Sequence, residues 1–320
     1  MDACCVNERL RLIAAHQGGV FSRRQALASG CTHEQIVRHL RDGSWEQIRR
    51  GQYAEKLDLA APPPWERARW THLRQMHAVM NAIRARSVAV SHQSALVLHG
   101  LPTWGLDLGR VHVTRLDGQS GGLVAGVQHH LGVLTAADLT VVDGRLVTSV
   151  ARAALESACT TSFEVGVVGF DAALRAGNLG EDEVQRLQSA STFWPGSATA
   201  RRALRFGNGL AESVGESRLR VLMHEHGMPE PRLQTEFYDR LGLVGRVDFD
   251  FDGYNTVVEF DGALKYGGGS PDVLIREKRR EDRLRALGLT VVRTDWSDFD
   301  HPAALAAALL RTLNRHRRPA

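Results

Sequence analysis

Residues 245–268 read GRVDFDFDGYNTVVEFDGALKYGG. Asp248, Asp250, Asp252, Glu259 and Asp261 are interleaved there with Val, Phe and Tyr, as on a half-buried surface. Two apolar runs in this stretch have the character of strands. Burying an unpaired carboxylate inside a strand is expensive, so something must compensate it. A divalent cation would. Asp248 sits on one expected strand and Glu259 on the next, joined by the turn DGYN. Neighbouring strands run about 4.8 Å apart, so the two carboxylates could converge on one point. Asp261 follows Glu259 by two residues and shares its face. Glu216, from a preceding helix, offers a further ligand. Oxygen ligands with no Cys or His among them suit a hard ion, Mg²⁺ or Mn²⁺. Such an ion polarises a phosphoryl oxygen and lowers the pKa of a bound water that attacks in line. Lys265 follows shortly, and its ammonium would orient that water or stabilise developing negative charge. The competing reading is an acidic strand edge, where charge blocks aggregation. Asp252 suits the turn, and Asp250 stands in reserve.

A dense basic helix follows, with Arg276, Lys278, Arg279, Arg280, Arg283 and Arg285. A polyanion drawn to Arg276, Arg279 and Arg280 would bring its phosphates toward the carboxylates. The same helix carries Glu277, Glu281 and Asp282, which could absorb part of that charge.

The elements that must position these groups form three segments. Residues 196–320 read helix, three strands, basic helix, strand and closing amphipathic helix, an α/β unit. Residues 65–192 read as an α+β middle domain, a scaffold or a partner surface. No acidic or His cluster at ligand spacing is evident in it. His129 and His130 are adjacent, so on a strand they face opposite ways and read as surface or packing residues. The Pro-rich stretch LAAPPPWE separates this domain from residues 1–58. There, FSRRQALASG opens with Ser22 as a helix cap, and CTHEQIVRHLRDG opens with Thr32 and carries Gln35 three residues later, a capping box. WEQIRRGQYA then reads as a hairpin turning at Arg50-Gly51. Three helices and a basic hairpin give the order of a winged helix-turn-helix. Its third helix would carry His33, Gln35, Arg38, His39 and Arg41 to a DNA groove, with Arg49 and Arg50 in the wing. The competing reading is a small helical domain with ordinary surface arginines.

The chain as a whole has 320 residues, 43% of them hydrophobic, enough for more than one core. Formal net charge is +4 and the pI about 9.1. The base is mostly arginine, which suits phosphate. No apolar run approaches the ~20 residues that span a bilayer, and the start lacks the apolar core of a signal peptide. A cytoplasmic protein with no membrane partner is expected. Cys4, Cys5, Cys31 and Cys159 show no CxxC pairing and read as free thiols.

On GESRLRVLMHEHGMPEP, RVDFDF, VVEFDGALKY, REKRREDRLRALG and TVVRTDW, the sequence resembles the PD-(D/E)XK nuclease superfamily, particularly its very-short-patch-repair-like branch. The resemblance implies a restriction-endonuclease-like mixed sheet flanked by helices and a metal-dependent phosphodiesterase site. Asp248 matches its first acid, Glu259 its second and Glu216 its helix glutamate. Its usual lysine, two residues past the second acid, is here Asp261, with Lys265 as a displaced replacement. The segment GGVFSRRQALASGCTHEQIVRHLRDGSWEQIRRGQYA resembles the winged helix of the type IV abortive-infection antitoxin family. That resemblance implies binding of promoter DNA and repression.

Two functions follow as expectations. One is a DNA-binding, Mg²⁺- or Mn²⁺-dependent endonuclease using Asp248, Glu259, Glu216 and Lys265, with Asp248, Glu259 and Asp261 on the metal. A lone centre of that kind cuts one strand, so double-strand cleavage would need a homodimer or two binding events. The other is an antitoxin-like transcriptional regulator with an inactive nuclease-like domain.

Overall fold

The computed structural model describes residues 8–56, 63–83, 87–262 and 271–317. The chain divides into two units, Met1–Thr161 with Glu181–Ala200, and Ser162–Gly180 with Arg201–Ala320. The first holds two sheets and the second one.

The first unit opens with α1 (Glu8–Ala15), β1 (Val20–Ser22), α2 (Arg23–Ala28), α3 (His33–Arg41), β2 (Trp45–Arg49) and β3 (Gln52–Glu55). The caps read from the sequence are present. Ser22 Oγ accepts from the Gln25 amide, and Thr32 Oγ1 from the Gln35 amide, each with the glutamine side chain returning the bond. Leu10, Phe21, Ile36, Trp45 and Tyr53 form the core between helices and wing. One element was not expected: β1 pairs antiparallel with β3, so the sheet has three strands in the order β1-β3-β2. Three residues are too short a run for periodicity to reveal.

This winged helix is seated on α4 (Pro64–Ala82), the helix that begins after the Pro-rich stretch. Arg74 of α4 is buried, pairs with Glu46 and donates to the Glu55 carbonyl at 2.8 Å. Ala78 closes a small apolar contact with Val20 and Ala54. Beyond α4 come β4 (Val88–Val90), α5 (His92–Leu98), β5 (Val111–Arg115), β6 (Gly122–Val124), β7 (Val127–His130), β8 (Leu139–Val142), β9 (Arg145–Thr148) and α6 (Val150–Ala158). The six strands form one sheet in the order β6-β7-β5-β4-β9-β8. Pairs β5–β7 and β4–β9 are parallel, the others antiparallel. The next helix in the chain, α7 (Phe163–Arg175), belongs to the second unit, whereas α8 (Glu181–Ala190) returns to the first. A boundary set by composition at residues 192–196 misses this exchange.

What holds α7 in the second unit is a buried ion pair. Asp171 on α7 is wholly buried and accepts from Arg220 Nη1 at 2.7 Å. Arg220 lies on α10 (Val214–Glu225), which follows α9 (Ser197–Phe206). A buried carboxylate of this kind persists only with such a partner. The sheet of this unit is β10 (Arg232–Asp239), β11 (Gly242–Phe251), β12 (Thr256–Asp261) and β13 (Thr290–Asp295), in that order. The first three are antiparallel, and β12 and β13 run parallel. The crossover from β12 to β13 is made through α11 (Pro271–Ala286), and α12 (Pro302–His316) closes the chain. Leu219, Leu222 and Met223 of α10 pack with Phe249, Phe251, Val258 and Phe260 of the sheet and with Leu305 and Leu309 of α12. Val244, Val247 and Val257 pack with Leu284 and Leu289. Among the described residues no helix is long and apolar enough to cross a membrane, and Cys31 is a free thiol.

Gly215, at the start of α10, lies against the Phe260 ring so closely that a Cβ there would overlap it. This approach sets Glu216 beside the sheet. Gly215→Ala is expected to destabilise the second unit by roughly 1–3 kcal/mol, seen as a lower urea midpoint for the transition that reports on Trp296. An unchanged midpoint would mean that the ring yields without cost.

Candidate functional site

Two regions carry the residues singled out by sequence. The first is the outer surface of the winged helix. His33, Gln35, Arg38 and Arg41 are exposed along α3, Arg50 is exposed at the wing tip, and Arg49 is half-buried at the end of β2. Gly51 takes a left-handed φ of 73°, which turns the wing immediately after Arg50. Arg38 and Arg41 lie three residues apart and therefore on one side of the helix. Two groups on this face already have work. Gln35 Oε1 accepts from the Thr32 amide at 2.7 Å, and His33 Nδ1 lies 2.8 Å from Arg23 Nη2. His39 does not face outward. Its ring stacks on Trp45 with centroids 4.6 Å apart, and its Nδ1 bonds Ser44 Oγ. It belongs to the core, which corrects the expectation that it reads a groove.

The second region is the carboxylate group of the C-terminal sheet. Ser213 caps α10 by accepting from the Glu216 amide, which fixes the first turn. Glu216 is buried, and its Oε2 accepts from the Glu212 amide at 2.8 Å and from Gln234 Nε2 at 3.0 Å. Gln234 Nε2 also donates to Asp248 Oδ1 at 3.4 Å. Asp248 Oδ2 accepts from the Phe260 amide at 2.8 Å, which ties it to β12. Gln234, whose backbone is left-handed with φ 53°, reaches both acids; the β10–β11 register shifts only further along, between Phe237 and Tyr238. Burial raises the pKa of Glu216 and of Asp248.

Glu259 stands apart from this pair. Both of its oxygens face Arg280 Nη2, at 2.6 and 2.8 Å, and Arg293 lies 3.7 Å away. Burial still pushes its pKa up, against the pull of those guanidinium groups. Arg280 also pairs with Glu277 at 2.8 Å, and Arg293 with Glu277 at 2.5 Å and Glu281 at 3.2 Å. Asp250 is buried and held by Arg232 at 2.6 Å. Asp261 continues the face of Glu259 and sits opposite Asp295 of β13. Lys265 lies outside the described residues. Among the described residues, Glu216, Asp248, Glu259 and Asp261 supply no group of three ligand atoms all within 4.8 Å of one another. With Arg280 on Glu259, a hard cation shared by Asp248 and Glu259 does not fit this arrangement.

The basic helix is also less free than its sequence reads. Arg280 serves Glu259 and Glu277, Arg283 holds Asp239 through bonds of 2.7 and 2.8 Å, and Arg285 pairs with Glu281. Arg276, Lys278, Arg279 and Arg285 are exposed along it. Gln234 and the clamping role of Arg280 carry no signal in the sequence beyond the spacing of Glu277 and Arg280 along one helix.

Residues 8–56 match the family model described as transcriptional regulator, AbiEi antitoxin. That segment coincides with the winged helix. Two Mycobacterium tuberculosis proteins, Rv2248 and MT2308, both described as uncharacterized, are 34% identical to this chain over 182 residues. The match covers 57% of this chain and 66% of each relative, just under two thirds of their length. The crystal structure of the RV2827C protein from Mycobacterium tuberculosis aligns with a TM-score of 0.39 at 15% identity, over 72% of this chain and 87% of that one.

A carboxyl whose pKa is raised by folding makes stability fall as pH climbs from its unfolded value, about 4.3 for Glu, toward its folded one. Glu216→Gln keeps an acceptor for the Glu212 amide and removes the charge. It is expected to raise the melting temperature of the second unit at neutral pH by roughly 2–4 °C, with the gain disappearing below about pH 4. Calorimetry across that range checks it, and a gain that persists in acid would assign the effect to something other than ionisation.

Proposed function

We propose that this protein is a DNA-binding transcriptional regulator of the antitoxin type, with a C-terminal unit that keeps nuclease-like carboxylates without using them to cut. The match of residues 8–56 to AbiEi antitoxin regulators carries this reading. The surface agrees with it chemically. Arg38 and Arg41 project from α3, and Arg50 tips the wing, with no acidic residue between Arg49 and Gly51. In a winged helix the helix enters the major groove, and arginine there recognises guanine through two bonds. A wing arginine meets phosphate, which adds affinity without sequence information. The Arg280–Glu259 pair supports the second half of the reading, because it satisfies by a fixed cation the charge that a metal would otherwise neutralise.

A second reading, a Mg²⁺-dependent endonuclease, is favoured by one observation. Glu216 and Asp248 are drawn together on a single amide, both with raised pKa, although each would be cheaper to expose. That reading requires Arg280 to release Glu259.

Two experiments separate the readings. Duplexes selected from random sequence by the full chain are expected to bind Arg38→Ala more weakly by about 1–3 kcal/mol with relaxed preference at one position, and Arg50→Ala more weakly on all sequences with a salt slope reduced by about 1. Binding unchanged in both variants would remove the winged helix from DNA recognition. Supercoiled plasmid with Mg²⁺ or Mn²⁺ is expected to stay intact with wild type. Metal-dependent nicking that Asp248→Ala and Glu259→Ala both abolish would establish the second reading instead.

A further inference from the structure

The middle region holds a group that no sequence spacing reveals. His92, His112 and His130 each present a ring nitrogen, and the three nitrogens lie within 4.8 Å of one another. They come from three elements. His92 is the first residue of α5, His112 the second residue of β5, and His130 the last of β7. The parallel pairing of β5 with β7 sets Thr114 beside His130 and His112 beside Gln128, so His112 and His130 share one face of adjacent strands. Ser91 bonds through its amide to the His112 carbonyl at 3.1 Å and so delivers His92 to the same place.

We propose that His92, His112 and His130 form a binding site for one divalent transition ion of the zinc type. The imidazole set is the donor chemistry that such ions prefer and that Mg²⁺ does not. Three histidines with a fourth position left to water is an established zinc arrangement. The separations are right in scale. Two nitrogens at ~2.05 Å from a tetrahedral ion lie about 3.3 Å apart. His112 Nδ1 and His130 Nε2 are 2.9 Å apart, and the rings of His92 and His130 stack with centroids 3.6 Å apart. Binding one ion therefore opens the His112–His130 pair by a few tenths of an ångström and turns the stacked rings of His92 and His130 so that their in-plane lone pairs converge.

The surroundings orient the ligands as metal sites do. His92 Nδ1 lies 3.0 Å from Ser91 Oγ and 3.5 Å from Glu156 Oε2, which leaves Nε2 as its ligand atom. Glu156 is buried and is itself fixed by Arg152 Nε at 2.7 Å. Gln93 Nε2 lies 2.8 Å from His112 Nε2 and 3.2 Å from the Asp107 carbonyl, while its Oε1 is buried with no partner. With Gln93 donating to His112 Nε2, the His112 proton sits on Nδ1 toward His130, so a metal bound at Nδ1 displaces that proton and the Gln93 contact with it. His92 also holds a left-handed φ of 53°, an uncommon backbone for a side chain kept in that place only by its contacts. Burial depresses the pKa of all three, aided at His92 and His112 by the neighbouring cluster rings and at His130 by His129, those of His112 and His130 to about 4. All are neutral donors at physiological pH, and the partly exposed His112 and His130 give an ion a way in.

The test uses the full chain, made without a polyhistidine tag and stripped with chelator. Titration with Zn²⁺ against a chromophoric competitor is expected to show one equivalent bound per chain, and Co²⁺ to give the intense visible bands of a tetrahedral site. His112→Gln and His130→Gln are each expected to weaken binding by about 100-fold or more, beyond the ~10–100-fold typical of an orienting partner alone. His92→Gln serves as the third variant should either fail to fold by circular dichroism. No binding by wild type at about 100 μM Zn²⁺, or one equivalent retained unchanged in the folded variants, overturns the assignment, the second because the chain has other histidines.

Discussion

A carboxylate taken out of water must be given a positive or hydrogen-bonding partner, and in this protein the partner is nearly always arginine. Asp171 has Arg220, Glu156 has Arg152, Asp250 has Arg232, and Glu259 has Arg280. These pairs join elements distant in sequence: α7 to α10, β10 to β11, and β12 to α11. The lone Arg152–Glu156 pair lies within one helix, but Arg152 also reaches Asp138 at 3.6 Å and covers the Trp194 ring. Arginine suits this role because its planar fork meets several acceptors at once and keeps its charge when buried. The basic composition is thus partly internal balance, and only its remainder is available to a polyanion.

Against that background Glu216 and Asp248 are exceptions. Neither has an ion pair among the described contacts. Amide donors compensate them: Gln234 for both, the Glu212 backbone for one and the Phe260 backbone for the other. Burial raises the pKa of both carboxyls, and these neutral donors offset only part of it. The glutamine that serves them holds a left-handed backbone. The neighbouring Glu259, clamped by Arg280, has the opposite character. The contrast between the two acids on one amide and the third on an arginine is what weighs regulation against cleavage.

Much of this was legible in the residues. The capping boxes at Ser22 and Thr32 place α2 and α3 because a side-chain oxygen three residues from its amide is a local event. The long helices α4, α10, α11 and α12 and the strands β10 to β13 follow from periodicity and from Gly and Pro at their ends. Where sequence reading failed, the deciding contacts were not local. His39 looks like any polar residue on an amphipathic helix, yet Trp45 claims it. Nothing near Asp171 in the chain announces Arg220, so residues 65–192 read as one domain. His92, His112 and His130 stand roughly twenty residues apart, and only a parallel strand pair with a helix start beside it can join them. Parallel register leaves no mark in sequence, unlike a hairpin turn.

The two clusters, of acids and of imidazoles, pose the same electrostatic problem and reach different solutions. A group of carboxylates repels itself when ionised, so in the absence of a cation the fold must import arginine, and the arginine then blocks the cation. A group of histidines avoids the conflict by giving up its protons. Neutral rings stack and share a hydrogen bond without any counter-charge, and each keeps a lone pair. Arg152 stays on Glu156, one bond removed from the ligand ring, where it steadies the carboxylate that orients His92 rather than occupying the place of a metal. The imidazole cluster can therefore be stable and open to a cation at once, which the Glu259 side of the acidic group, as balanced by Arg280, cannot.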